Sequence, residues 1–200
     1  MNTQKFKQPL LLAIAMVVTA ASSQAASLTG PVYNPANGHN YYLLSPSTWS
    51  AAESEALGLG GHLVTVNDSA ENAWLQSTFS VYGGIRRDLW IGLNDFASNG
   101  NYVWASGETP AYTNWTLDNP NDFGNQSVVF LYSGPSPGNL PHISGWAAGQ
   151  WDTYDDSATY YHNGEGTRFI AGVVEVPEPS AIAITLLAAF SYVTRNRSRK

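Results

Sequence analysis

Leu89-Trp90-Ile91-Gly92-Leu93, Tyr102-Val103-Trp104-Ala105-Ser106-Gly107, Tyr112-Thr113-Asn114-Trp115, Asn119-Pro120-Asn121 and Gly149-Gln150-Trp151-Asp152 succeed one another between Asp88 and Thr153. Four of the seven tryptophans stand in these motifs, each on a short apolar run or beside a turn. Tryptophan brings a large apolar surface and one N–H donor, which suits a small core lying beneath a polar loop. The amides of Asn119 and Asn121 precede Trp151-Asp152 by about thirty residues, so oxygens from both places can converge on one cation or one sugar.

Upstream, residues 40–44 read as a strand. Ser47 or Thr48 caps a helix whose Trp49, Ala52 and Ala56 share a face and which stops at Gly58. Gly60-Gly61 turns the chain into an extended apolar run, His62-Leu63-Val64-Thr65-Val66. Asp68, with Glu71 three residues on, opens a second helix carrying Ala70, Ala73 and Trp74. Beyond Gly83-Gly84 short strands are expected at 89–93, 102–104, 127–132, 149–152 and 169–176. Two early helices followed by small antiparallel strands make an α+β domain. Between Thr116 and Gly145 proline and glycine are dense, so most of that segment is expected to be a long irregular loop. Such a loop in a compact domain is either functional or disordered.

Both ends read as processing signals. Residues 1–26 hold Lys5 and Lys7, an apolar run over 10–21 and the small-residue close Ser23-Gln24-Ala25, the pattern of a secretory signal peptide. The run is short against the roughly 20 residues of a membrane span, which disfavours a permanent anchor. Residues 177–200 hold Pro177-Glu178-Pro179, an apolar segment over 180–193, and then Arg195, Arg197, Arg199 and Lys200. Apolar residues followed by a basic cluster hold a chain end at the cytoplasmic membrane face, so transient membrane contact through this tail is expected. The domain proper is then 27–176. It keeps fourteen of the fifteen acids but only Arg86, Arg87 and Arg168 among the bases, a charge of −11 against −6 for the whole chain. Such a surface repels nucleic acid and anionic lipid and draws cations. With no cysteine, thiolate metal sites, cysteine nucleophiles and redox motifs are excluded, and the exported domain has to stand on its core.

The order of strand, helix, Gly-Gly-His-Leu, helix, Trp-Ile-Gly-Leu, aromatic-x-Trp, Asn-Trp, Pro-Asn, Trp-Asp and final strand resembles the C-type lectin-like domain over residues 40–176. The resemblance implies a double-loop fold with paired first and last strands and a ligand site on the long loop. In sugar-binding members a Pro-centred triplet, a later Glu and a Trp-Asn-Asp triplet surround a calcium ion that also holds two sugar hydroxyls. Here the triplet is Asn119-Pro120-Asn121, Gln126 takes the place of the Glu, Asp152 falls where the family has Asn, and Thr153 where it has Asp. The implied calcium ligands Asn119, Asn121, Gln126 and Asp152 include one carboxylate, which predicts a weak site or none. Asp118, Asp122, Asp155 and Asp156 flank these positions and offer charge in a shifted register. A cis Asn119–Pro120 bond, as in sugar-binding relatives, would turn both amides to one side. Trp90, Trp104, Trp115 and Trp151 read as core, whereas Trp146 reads either as a stacking platform for sugar or as an anchor for the loop.

The terminal tripartite segment resembles the PEP-CTERM sorting signal of Gram-negative bacteria. That implies cleavage by an exosortase-type membrane protease and release to the cell surface or an extracellular matrix such as a biofilm. No Gly-x-Ser-x-Gly elbow, P-loop or dinucleotide fingerprint occurs, so a binding module rather than an enzyme is expected. Two partners stay open: a glycan, with exopolysaccharide foremost, or protein components of the matrix. The nearest thing to a catalytic set is Asp152, Asp155, Asp156 and His162.

Overall fold

The computed structural model describes residues 27–121, 125–134, 146–162 and 166–178. The chain opens with a hairpin of β1 (Ser27–Asn34) and β2 (His39–Pro46). The sequence pointed to β2 but not to β1, whose polar residues and Gly30-Pro31 give no alternating pattern. Thr48 caps α1 (Trp49–Gly58), its hydroxyl accepting from Ala51 N at 3.2 Å. The Gly60-Gly61 turn leads into β3 (His62–Leu63), which pairs for two residues only, although the buried run continues to Val66. Asp68 caps α2 (Ser69–Phe79) by accepting from Glu71 N at 2.8 Å. Glu71 reaches back to Asn67 N at 2.9 Å, one residue beyond the partner a capping box would use. There follow the hairpin of β4 (Val81–Tyr82) and β5 (Ile85–Arg86), then β6 (Asp88–Asn94), β7 (Val103–Trp104), β8 (Val128–Leu131), β9 (Trp151–Tyr154), β10 (Thr159–His162) and β11 (Gly166–Val176). Among the described residues no helix is long and apolar enough to cross a membrane.

The main sheet runs β1-β2-β11-β6-β8-β9, with β3 and β10 attached to β11 and β7 to β6. The two strands expected first and last, β2 and β11, do pair, with Val173 opposite Leu43 and Glu175 opposite Tyr41. The strand pairings are antiparallel except β6 with β11, where Ala171 lies beside Leu89. Every residue of β6 is buried. Side chains alternate along it. Leu89, Ile91 and Leu93 enter one apolar cluster with Tyr41, Leu75, Phe79, Trp104 and Trp151. Trp90 enters the other with Leu44, Trp49, Leu63, Phe130 and Ile170. Two glycines of the recognised motifs have packing reasons. A Cβ on Gly92 would stand 2.5 Å from Leu63 O, and one on Gly61 would stand 2.0 Å from Glu175 O. Neither backbone neighbour can retreat without breaking the sheet.

With no cysteine the fold has to stand on its core, and to that core the structure adds a buried ion pair. Asp88, wholly buried, accepts from Arg168 Nε and Nη2 at 3.0 Å each, from Ser133 N and Oγ at 2.7 Å each, and from Tyr160 OH at 2.7 Å. The Arg168 guanidinium also donates to Gly134 O at 3.1 Å and lies 4.9 Å from the Tyr132 ring centre. This ties β6, β10, β11 and the exit of β8 together at the foot of the long loop. Arg168→Met should therefore cost about 3–5 kcal/mol in urea unfolding, because Asp88 is left charged and enclosed. The double variant Asp88→Asn/Arg168→Met should recover most of that loss.

Candidate functional site

The site is built outward from Trp151, which has no solvent exposure. Its indole N–H donates to Asn72 Oδ1 on α2 at 2.7 Å. Asn72 Nδ2 and Asn114 Nδ2 both donate to Gly149 O, at 2.9 and 2.8 Å. The main chain of Trp151 completes the clasp: its N donates to Asn114 O and its O accepts from Thr116 N, each at 2.8 Å. Trp104, Tyr112 and Trp115 stand edge-on to the Trp151 indole, their ring centres 5.6–5.8 Å away. Residues 112–116 are thereby laid along the outer edge of β9, and the chain emerging from them passes directly over Thr153. Trp115 is only partly buried, unlike the other three tryptophans expected in the core.

The Asn119–Pro120 peptide is cis. Thr153 Oγ1 lies 2.9 Å from Asn121 O, 3.2 Å from Asn119 Oδ1 and 3.2 Å from Gln126 Oε1. Asn119 Nδ2 is turned to Thr116 Oγ1 at 2.6 Å, and Asn121 Nδ2 to Asp118 O at 3.3 Å. Asn121 Oδ1 is enclosed and has no hydrogen-bond donor. Asp152 Oδ1 accepts from Thr153 N at 2.8 Å. The structure thus brings together Asn119, Gln126, Asp152 and Thr153, while Asn121 joins through its main-chain oxygen rather than its amide.

The flanking acids do not join them. Asp156 accepts from Ser50 N at 3.0 Å at the start of α1, and Asp118 and Asp155 are exposed. Asp122 lies outside the described residues, as does the side chain of His162. Trp146 is half-buried and edge-on to Tyr132, with ring centres 5.6 Å apart, the arrangement of a loop anchor. At the C-terminal end Glu178 Oε1 accepts from Asn40 Nδ2 at 2.6 Å, and Pro177 follows β11 directly; Ala25 and Pro179 are outside the described residues.

Two positioning residues escaped the sequence reading. Asn72 stands three and seven residues before Leu75 and Phe79 in the buried stripe of α2, and that spacing was the available signal. Thr116, buried beneath Asn119, had none. Among the described residues, no group of three or more histidines, aspartates or glutamates is placed to hold a metal. The convergent oxygens are of the hard type that calcium takes, but Asp152 brings the only charge. Burial pushes the Asp152 carboxyl up to about 6; the Thr153 N–H and the Asn119 amide oppose the shift without cancelling it.

Between the ordinary value of 3.8 and about 6 the folded state holds the Asp152 proton more tightly than the unfolded chain does, so stability falls as pH rises through that window. In chelator, Asp152→Asn should therefore be more stable than the parent at pH 8, with the gain gone by pH 4. Thermal unfolding at the two pH values measures it, and a gain that persists at pH 4 would refute the assignment.

Comparison with known proteins agrees with this architecture. The family model described as the lectin C-type domain matches residues 45–162. Lectin BRA-3 of Megabalanus rosa is 32% identical over 149 residues, covering 73% of this chain and 80% of that protein. The cow CD23 C-type carbohydrate-recognition domain, solved in the presence of a GlcNAc2Man3 oligosaccharide, superposes with a TM-score of 0.52 at 20% identity, over 70% of this chain and 89% of its own. A calcium-independent type II antifreeze protein superposes with 0.51 at 17% identity, over 78% and 93%. At those identities the two structures speak to the fold alone. The pairing of β2 with β11, the clasped Trp151 and the match over more than half the chain place this protein in the C-type lectin domain family.

Proposed function

We propose that this chain is an exported, non-enzymatic glycan-binding module whose target is an exopolysaccharide. The observation that carries the reading is the convergence of Asn119, Asn121 and Gln126 oxygens on Thr153 beside Asp152, held over β9 by the Trp151 clasp. Rigid amides at one point can meet vicinal sugar hydroxyls without reorganising, which keeps the ordering cost of binding low. BRA-3 is itself named a lectin, which supports the same reading. Asn119, Asn121, Gln126 and Asp152 are the residues that would hold a calcium ion, which would supply Lewis-acid attraction for hydroxyl oxygens. With one carboxylate its affinity falls in the weak class, of order 10⁻⁴–10⁻³ M.

Export belongs to the same proposal. Residues 1–26 direct secretion, Pro177-Glu178-Pro179 and the basic tail direct exosortase-type processing, and the domain ends at the cell surface or in the extracellular matrix of a Gram-negative bacterium. A structural or protein-interaction role in that matrix is the competing reading.

Titration of the purified protein against polysaccharides, with and without chelator, tests the proposal. Thr153→Val and Asn119→Ala should each weaken binding at least about tenfold, near 1.4 kcal/mol. Gln126→Glu, which adds a second carboxylate, should tighten calcium by a similar factor. Absence of binding to every glycan in both conditions, with matrix retention intact in Thr153→Val, overturns it in favour of the structural role.

A further inference from the structure

The oxygens over β9 outnumber the hydrogens that the fold directs at them. Thr153 has one hydroxyl hydrogen, yet its Oγ1 lies within 3.2 Å of three acceptors. The other contact to Asn119 Oδ1 is a long one, from Asn121 N at 3.3 Å. Asn119 Nδ2 is turned to Thr116 Oγ1 and to the Asp152 carboxyl, and Asn121 Nδ2 to Asp118 O, so neither amide nitrogen serves the three oxygens around Thr153. Asn121 Oδ1 has no donor at all. Whatever completes the site has to bring hydrogens.

Charge narrows the choice. Asp152 is half-buried, and among the described residues no cationic side chain pairs with it. The three bases of the domain are used elsewhere: Arg168 on Asp88, Arg86 on Ser133 O and Arg87 on Tyr82 O. The site therefore carries one uncompensated negative charge in a ring of neutral acceptors. A divalent ion would leave a surplus positive charge there. A primary ammonium balances Asp152 one to one, and its three N–H donors match the acceptors that Thr153 cannot serve. A hydroxyl sugar offers donors without charge, and an N-acetylated sugar offers one N–H on a neutral amide.

Resting on the glycan-binding reading, we infer that this site selects a sugar bearing a free, protonated amine, so that the target polymer contains unacetylated hexosamine. The ammonium sits against Asp152 Oδ, Asn119 Oδ1 and Gln126 Oε1, and millimolar calcium competes with it instead of assisting.

The test is a ¹⁵N-labelled titration at pH 7 and physiological ionic strength with three disaccharides: the β1,4-linked glucosamine dimer, its N-acetylated form and the corresponding glucose dimer. The amine form should bind at least tenfold more tightly than the other two, shifting the amides of Asn119, Gln126 and Thr153. Asp152→Asn should erase the preference. Glu108→Gln, which removes one charge from an exposed position, should keep it and so control for general attraction to an acidic domain. Should Asp152→Asn fail to fold, Gln126→Leu should lower the preference in its place. Equal affinity for all three sugars, shifts confined to other regions, or a requirement for calcium overturns the amine assignment while leaving the glycan reading in place. Failure to bind these three or any polysaccharide overturns both.

Discussion

The hydrogen bond from the Trp151 indole to Asn72 joins α2 to the strand that carries the site. Around it, Gly149 O collects the amides of Asn72 and Asn114, and the Trp151 main chain exchanges bonds with residues 114 and 116. An isolated bond of this kind nets only about 1 kcal/mol, but Asn72, Thr116, Gly149 and Trp151 are buried, so an unmade bond would leave an enclosed polar group at a cost of about 1–3 kcal/mol. The bonds therefore form together or fail together. The consequence for the site is direct: Thr116 is fixed, Asn119 is fixed on Thr116, and the triplet is set over Thr153. What looks like a loop is held on its inner side by a fully buried tryptophan.

The acidic composition shapes how the rest is stabilised. Residues 27–176 carry a charge of −11, yet none of their three arginines is spent on a dispersed surface pair. Arg168 is drawn inside onto Asp88, whose carboxylate holds the guanidinium well above its usual range despite the opposing effect of burial. Arg86 and Arg168 also bond the carbonyls of Ser133 and Gly134, where β8 gives way to the long loop. The exit of β8 thus receives charge-assisted donors from two arginines. Elsewhere the surface is left acidic, with nothing to offset an incoming cation's attraction.

Much of this was legible from residues alone. Thr48 and Asp68 act as the caps their positions suggested, and the buried run at Leu89–Leu93 proved to be the middle of the sheet because an unbroken apolar stretch with a glycine permits close backbone approach on both sides. The triplet, Gln126 and Thr153 were brought together as their order in the chain suggested. What stayed hidden depends on distance in three dimensions. β1 lacks alternation and owes its pairing to β2, and the parallel contact of β6 with β11 joins segments eighty residues apart. Asn72 and Thr116 act through partners that no local pattern names. Asn121 illustrates the limit well: its place was readable, but not that its main-chain oxygen, rather than its amide, would meet Thr153.

Thr153 also explains why the site carries so little charge. Its side chain is enclosed, and its single hydroxyl can satisfy any of the three surrounding acceptors while no ligand is present. A carboxylate at that position would face Asn119, Asn121 and Gln126 oxygens with no hydrogen to give them and would lie one residue from Asp152, already disfavoured in its charged form by burial. In a cysteine-free chain whose residues 27–176 carry −11, an additional buried and unpaired charge would cost several kcal/mol out of the roughly 5–15 kcal/mol that holds such a fold together. The hydroxyl keeps the amides assembled without an ion. The same substitution that makes the ligand-free fold tolerable therefore lowers calcium affinity and leaves a preformed ring of neutral acceptors around one carboxylate.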